Sequence, residues 1–340
     1  MTPRSRAIDT ARMSANLRGR AIDVAGRRVL ISRLAGSEQE GDLQLPTNCG
    51  GYGRVRHFKF ATSSGWPANP LPIVPACKAL GLTPPAAMTA QVFQNAACAW
   101  RCWYCFVPYN LLSADPKRSE WFTPEELVRL YSMEHERPSI IDLSGGSPDL
   151  VPEWTVWMME ALETEGLASE TFLWTDDNLS TEYLFDNLSK AQLSRLTAYR
   201  NYGRVCCFKG FDDESFAFNT QAAASGFDRQ FVIMRRLLDL GLDVYGYITL
   251  TGPNEAELPA KIARLFDRLQ TLDPNLPLRV IPLEIREFSP MANRMNQERQ
   301  FSLKVQARAI AEWRANIADR FDENARALDI SSVGLRAMAG

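Results

Sequence analysis

A chain of 340 residues, 46% hydrophobic and 23% charged, is long enough to bury a sizeable core as one large domain or one domain with additions. Its formal net charge of −2 argues against a nucleic-acid partner held by a broad basic surface. No apolar run approaches the ~20 residues that span a bilayer, so no membrane partner is expected.

Seven cysteines, an odd number, do not describe a disulfide framework; free thiols fit a reducing, cytoplasmic setting. Only two histidines exist, His57 and His135, so histidine-based zinc sites and serine–histidine triads are poorly supplied. The first 34 residues carry eight arginines against two aspartates, faintly like an organellar transit peptide. That stretch runs on into Arg28–Ser32, which reads as a strand, so a structured N-terminal extension is equally expected.

Taken in order, residues 1 to about 85 give no regular pattern beyond that strand. Cys49-Gly50-Gly51-Tyr52-Gly53 reads as a glycine-rich turn that also permits close approach to a ligand. Trp66 to Pro72 and Thr83-Pro84-Pro85 are proline-punctuated and expected to be irregular. Ala90–Gln94 reads as a first strand of a regular series. Thr123-Pro124-Glu125-Glu126 is a helix start, with Thr as N-cap, Pro in the first turn and Glu three residues on. Ser139–Ser144 is a second strand ending in Gly145-Gly146-Ser147-Pro148, and Val151–Gly166 a helix. Thr171–Thr175 is a third strand, followed by Asp176-Asp177-Asn178 and a helix from about Thr181. Val205–Lys209, Val244–Leu250 and Leu278–Leu283 are the fourth to sixth strands. Helices are expected at Phe227–Leu240, with a glycine stop at Gly241, at Glu255–Leu272 and from Leu303 to about Phe321. Six alternations of strand and helix define an α/β fold with a parallel sheet. Periodicity alone leaves an open and a curved sheet equally available. Ligands in such folds gather where the strands end, and the unusual stretches of this chain fall there.

The most unusual stretch follows the first strand: Cys98, Cys102 and Cys105, with three residues in the first gap and two in the second. Zinc usually takes four ligands, and an iron–sulfur cube has four metal corners to fill. Three thiolates would leave one iron without a protein ligand. The competing reading places positions i, i+4 and i+7 on one buried helical face; Pro108, three residues on, opposes it.

The spacing, together with Tyr104 before the third cysteine, resembles the signature of the radical S-adenosylmethionine (SAM) superfamily. The resemblance implies a [4Fe–4S] cluster on the three cysteines, with SAM chelating the fourth iron through its methionyl amino and carboxylate groups. One electron then cleaves SAM to methionine and a 5′-deoxyadenosyl radical. It also implies a partial (β/α)6 barrel over residues 89–285; residues 1–88, which match no family, read as a partly irregular N-terminal extension, and 286–340 as a C-terminal helical segment packed on the core.

Residue by residue, Tyr104 falls at the position whose neighbouring backbone meets adenine, and Phe106 and Trp103 are expected over the cluster. Gly145, Gly146 and Ser147 match the family's GGEP-like segment, where backbone carbonyls approach the SAM amino group; Ser147 stands where Glu is common. Thr175, Asp176 and Asn178 fall at the polar SAM contacts after the third strand, although Asp176 and Asp177 equally read as helix caps. Lys209 is placed to pair with the SAM carboxylate. Cys49 and Cys77 lack CxxC spacing and read as structural, and Cys206 and Cys207 point to opposite faces of one strand.

Phe208–Phe216 and Thr220 are similar to a stretch in glycyl-radical-enzyme activases and wybutosine-type synthases. The activases' Asp before the lysine and their Asp-Thr-Asn-Gly are here Cys207 and Trp174-Thr175-Asp176-Asp177. The leading expectation is a radical SAM enzyme acting on a small molecule, with flavodoxin or ferredoxin as electron donor. Two alternatives are an activase acting on a partner protein and an iron–sulfur electron-transfer protein without SAM turnover.

Overall fold

The computed structural model describes residues 7–61 and 67–335; Trp66 of the proline-punctuated run lies outside them. The chain opens with α1 (Thr10–Ala21), whose first turn is capped by Asp9 accepting from the Arg12 N–H at 3.0 Å. Two short strands follow, β1 (Ile22–Asp23) and β2 (Arg28–Ser32). Next come β3 (Gly53–Lys59), α2 (Ile73–Leu80), β4 (Ala87–Phe93) and β5 (Ser119–Phe122). The regular part then runs α3 (Pro124–Ser132), β6 (Ile140–Leu143), α4 (Glu153–Thr164) and β7 (Phe172–Asp177). It continues with α5 (Tyr183–Asn187), α6 (Lys190–Ala198), β8 (Tyr202–Phe208), α7 (Asp213–Thr220) and α8 (Gly226–Asp239). Last are β9 (Val244–Ile248), α9 (Leu258–Leu272), β10 (Val280–Pro282), α10 (Ser289–Ala292) and α11 (Gln297–Arg320).

Six strands, β4 and β6 to β10, run parallel in chain order, and β3 pairs antiparallel with β4 at one edge. The result is a curled, open seven-stranded sheet in a mixed α/β fold. The six parallel strands are those expected from the sequence, and the Thr123 capping box forms as its residues dictate.

The extension expected to be partly irregular carries more regular structure than the strand at Arg28–Ser32. It supplies α1, α2, β3 and two strands, β1 and β2, of a separate three-stranded antiparallel sheet that β5 completes from beyond the cysteine loop. That small sheet is tied to the end of β4 by the Ser32 N–H donating to the Gln94 carbonyl at 2.8 Å and the Ala96 N–H to the Leu30 carbonyl at 3.0 Å.

Alternation along the strands separates two layers. On the convex face Leu143, Leu173, Cys206, Phe208, Val244 and Ile248 pack with the apolar sides of the helices. On the concave face Ile140, Phe172, Trp174, Val205, Cys207 and Tyr245 meet Leu71, Ile73, Val74, Ala76 and Cys77. The helix α2 therefore plugs the inside of the curl near the start of its strands. Its burial of Ile73 and Val74 stabilises that closure by roughly 1.5–3 kcal/mol per side chain. The other end of the concave face, where the parallel strands finish, stays lined with polar groups.

No helix among the described residues is long and apolar enough to cross a membrane.

Candidate functional site

The cysteine segment folds as an irregular loop between the end of β4 and a short turn at Tyr109–Leu112, so the buried-helix alternative does not hold. Its shape is imposed from outside. The Cys98 N–H donates to the Leu112 carbonyl at 3.1 Å, and the Arg101 and Trp103 N–H groups donate to the Thr220 and Asn219 carbonyls, each at 3.2 Å. The Tyr109 hydroxyl donates to the carbonyls of Arg101 and Cys102 at 3.0 and 2.9 Å. From the C-terminal segment, Arg294 donates to the Cys105 and Val107 carbonyls at 2.6 and 3.1 Å.

Asn219, at the end of α7, is the hub of this clamp. Its amide donates to the carbonyls of Lys209 and Thr251, both at 3.1 Å. Its oxygen accepts from the Trp103 indole at 3.2 Å and the Thr251 hydroxyl at 2.7 Å. All four of its hydrogen-bonding valences are used, which fixes the loop and the end of β8 relative to each other. The stretch that resembles activases thus forms a capped helix that grips the cysteine loop.

Cys98, Cys102 and Cys105 line one cavity of about 250 Å³ with Trp100, Tyr104, Phe106, Gly145 and Gly146. Cys98 and Cys102 are buried and Cys105 is half-buried. Burial pushes all three thiols up, Cys98 to about 11 with the Cys102 charge adding to the rise. Loading a metal there must therefore release protons. Among the described residues no three His, Cys, Asp or Glu side chains converge tightly enough to hold a single ion. A cubane asks for something else, since each thiolate meets a different iron corner. The donor set, three thiols from one loop, fits such a cluster; Cys207, on β8, lines the same cavity.

The Gly-Gly-Ser loop packs against the cysteine loop. Gly145 and Gly146 have φ of 73° and 90°, and a Cβ on Gly146 would lie 2.2 Å from the Asn95 carbonyl oxygen. Close packing of the two loops demands glycine before any ligand is considered. Ser147 does not face the cavity as the Glu of the resemblance would. Its hydroxyl donates to the Cys98 sulfur at 3.1 Å, and its N–H to the Ala97 carbonyl at 2.7 Å. Asn178 locks this arrangement, its amide donating to the Gly146 carbonyl at 3.0 Å and the Ser147 hydroxyl at 2.9 Å.

The remaining expected residues divide between two faces. Asp176 lines the cavity, accepts from the Ser144 hydroxyl, and has its carboxyl raised by burial. Lys209 and Tyr104 also line it. Burial disfavours the Lys209 cation, but Cys207, Tyr104, Cys102 and Cys98 around it carry its pKa above the ordinary lysine range. The Tyr104 hydroxyl accepts from Thr249 at 3.1 Å.

Thr175 is a correction. It lies on the convex side of β7, fully buried, with its hydroxyl 2.9 Å from that of Tyr202, and does not line the cavity. Asp177 turns the same way and pairs with Arg204 at 2.5 Å. Neither aspartate caps a helix: α5 starts six residues after Asp177, with no side-chain cap. Trp103 is also displaced from its expected place, since its indole is fully buried against Asn219 while Phe106 and Trp100 line the cavity. Cys49 and Cys77 lie in a turn and in α2, away from the cavity, as structural thiols.

Sequence reasoning missed Asn219, Arg294, Trp100, Arg56 and Tyr247. Only the charged run Arg54-Val55-Arg56 carried a signal, two arginines two apart on one face of what proves to be a strand.

No family model matches the chain, and no curated protein matches it. Among solved structures it is similar to Streptococcus suis SuiB bound to S-adenosylmethionine, at 14% identity over 67% of this chain and 47% of that one, TM-score 0.46. It is also similar to SuiB bound to precursor peptide SuiA, at 14% identity over 53% of this chain and 36% of that one, TM-score 0.37. The chain spans less than half the length of those structures. At these values the likeness carries no argument, and the functional reading rests on the chain's own residues.

Proposed function

We propose that the chain is a radical SAM enzyme that acts on a small molecule. The observation that carries this reading is the position of Cys98, Cys102 and Cys105. They sit on one irregular loop at the end of the first parallel strand, facing a cavity shared with Lys209 and Asp176.

The three cysteines would hold the cluster, which, when bound, supplies the electron that cleaves SAM to methionine and a 5′-deoxyadenosyl radical. The chain's own groups bind and orient. Lys209 offers the buried cation for the SAM carboxylate, and Asp176 offers an acceptor for its ammonium or ribose. The Gly145-Gly146 backbone approaches from the second strand, and Tyr104 sets the wall beside the third cysteine. Ser147, through its bond to the Cys98 sulfur, tunes the thiolate; hydrogen bonds to sulfur are a recognised control on cluster potential. Trp100 and Phe106 exclude water from the sulfur side. A flavodoxin or ferredoxin is the electron donor in this reading.

Anaerobic reconstitution tests the cluster directly. The wild type is expected to retain about four irons per chain, and Cys102→Ala to lose them. One tightly bound zinc and no iron would overturn the reading.

A further inference from the structure

The cavity has a second polar wall that the cluster and SAM assignments do not use. It is built by β3, the antiparallel strand contributed by the N-terminal part of the chain. Arg56 lines the cavity beside Asp176, Cys207 and Tyr247. Its guanidinium lies over the Phe58 ring at 4.3 Å, which fixes the plane of the group, and its Nη1 is 3.6 Å from Asp142 Oδ2. Beyond that contact its side chain, 32% exposed, has no polar partner among the described residues. Arginine carries five N–H donors in a fixed fork, so one loose ion-pair contact leaves most of that fork open to the cavity.

The groups behind it sharpen the charge balance. Arg54 stands over the Phe106 ring at 5.2 Å, and its Nε and Nη2 are buried without a partner among the described residues. Burial lowers its pKa only to about 10, so it stays cationic at neutral pH. Asp142 is fully buried, and burial followed by the nearby Asp176 charge pushes its carboxyl up to about 8. Arg286 and Glu284, which also line the cavity, pair with each other at 2.6 Å, and this leaves the cations Arg54, Arg56 and Lys209 against Asp142 and Asp176, two carboxylates that burial drives toward neutrality. A ligand anion balances that set. Tyr247, whose hydroxyl donates to the Leu71 carbonyl and Asn69 Oδ1 at 3.3 Å each, supplies the polar group opposite.

We propose that Arg56 is the anchor for a carboxylate on the substrate, making the substrate class a small carboxylic acid seated between β3 and Tyr247. This deepens, and rests on, the SAM-dependent reading of the same cavity. The planar fork of arginine matches a carboxylate in two parallel hydrogen bonds. Phe58 below and Asp142 beside it hold the fork so that ligand binding does not have to order it.

The test uses the full-length, cluster-reconstituted chain with SAM at saturation, so that Lys209 is occupied. Glutarate is the probe, its neutral diamide glutaramide the comparison, and saturation-transfer NMR the readout. Glutarate is expected to bind at millimolar concentration and glutaramide not to bind. Arg56→Gln is expected to weaken glutarate at least about tenfold, and Arg56→Lys, which keeps the charge and loses the fork, by less. Thermal melting of both variants verifies that the half-exposed site still folds.

Equal binding of glutaramide, no binding of glutarate, or glutarate binding unchanged in Arg56→Gln would each overturn the proposal. So would glutarate binding seen only when SAM is left out, which places the anion at Lys209, or a tenfold preference for inorganic phosphate. Iron content and 5′-deoxyadenosine release by the wild type report separately on the SAM reading, so the two can fail independently.

Discussion

Asp176 and Asp177 are neighbours on one strand, yet they meet opposite fates. On the convex side, Asp177 pairs with Arg204 at 2.5 Å, the Arg204 Nε donates to the Tyr202 hydroxyl at 2.9 Å, and that hydroxyl meets Thr175 at 2.9 Å. This chain of polar groups closes on itself away from the cysteine cavity. On the concave side Asp176 accepts from Ser144, while Asp142 and Arg54 keep atoms without a hydrogen-bond partner among the described residues and Lys209 stands among thiols. Two layers less than a strand's thickness apart thus show what buried polarity is for. A closed network specifies the fold, and an open one is available to a ligand.

The comparison breaks most visibly at its closed side. Replacing Asp177 by Asn leaves the Arg204 guanidinium buried without its counter-ion, and the expected loss is about 3–5 kcal/mol in urea unfolding. A loss below ~1 kcal/mol would mean that the convex network is not a structural unit. The clamp on the cysteine loop ranks next. Asn219→Ala strands the Trp103 indole, the Thr251 hydroxyl and two carbonyls, so about 2 kcal/mol is expected, with faster iron loss on exposure to a chelator. Unchanged iron retention would remove α7 from the account of the loop.

The open side is read through pH rather than through a lost partner, and its sign is opposite. Asp142 has a folded pKa raised to about 8 against an ordinary value near 4, so the folded state holds the extra proton between those limits. Its contribution is fully present below pH ~4 and is lost as the pH rises through about 8. The stability of the wild type relative to Asp142→Asn should therefore fall across that window and level off above it. A difference that grows with pH would show that Arg54 and Arg56 hold Asp142 ionised.

The order of the six parallel strands was legible because each is a short apolar run followed by turn residues and a helix with a readable start. β3 was not, for a physical reason. Its sequence, Arg54-Val55-Arg56-His57-Phe58-Lys59, looks like a solvated charge run, and only the curl of the sheet turns Arg54 and Arg56 onto an interior face. The cysteine spacing was legible, whereas side-chain directions within the loop were not. An irregular backbone has no period, so nothing local tells Trp100, which lines the cavity, from Trp103, which turns to Asn219. Thr175 failed for the converse reason: strand alternation was available, and counting from Asp176 puts it on the other face. Ser147, which departs from the resemblance, has an unforeseen partner in Cys98.

The central claim is that the thiols at 98, 102 and 105 prepare the cavity for SAM cleavage. Anaerobic incubation of the iron-loaded chain with SAM and dithionite tests it most directly, with 5′-deoxyadenosine quantified by chromatography. The account predicts its release by the wild type and none from Cys102→Ala. An iron-loaded wild type that releases none would contradict it and make the chain an electron-transfer protein.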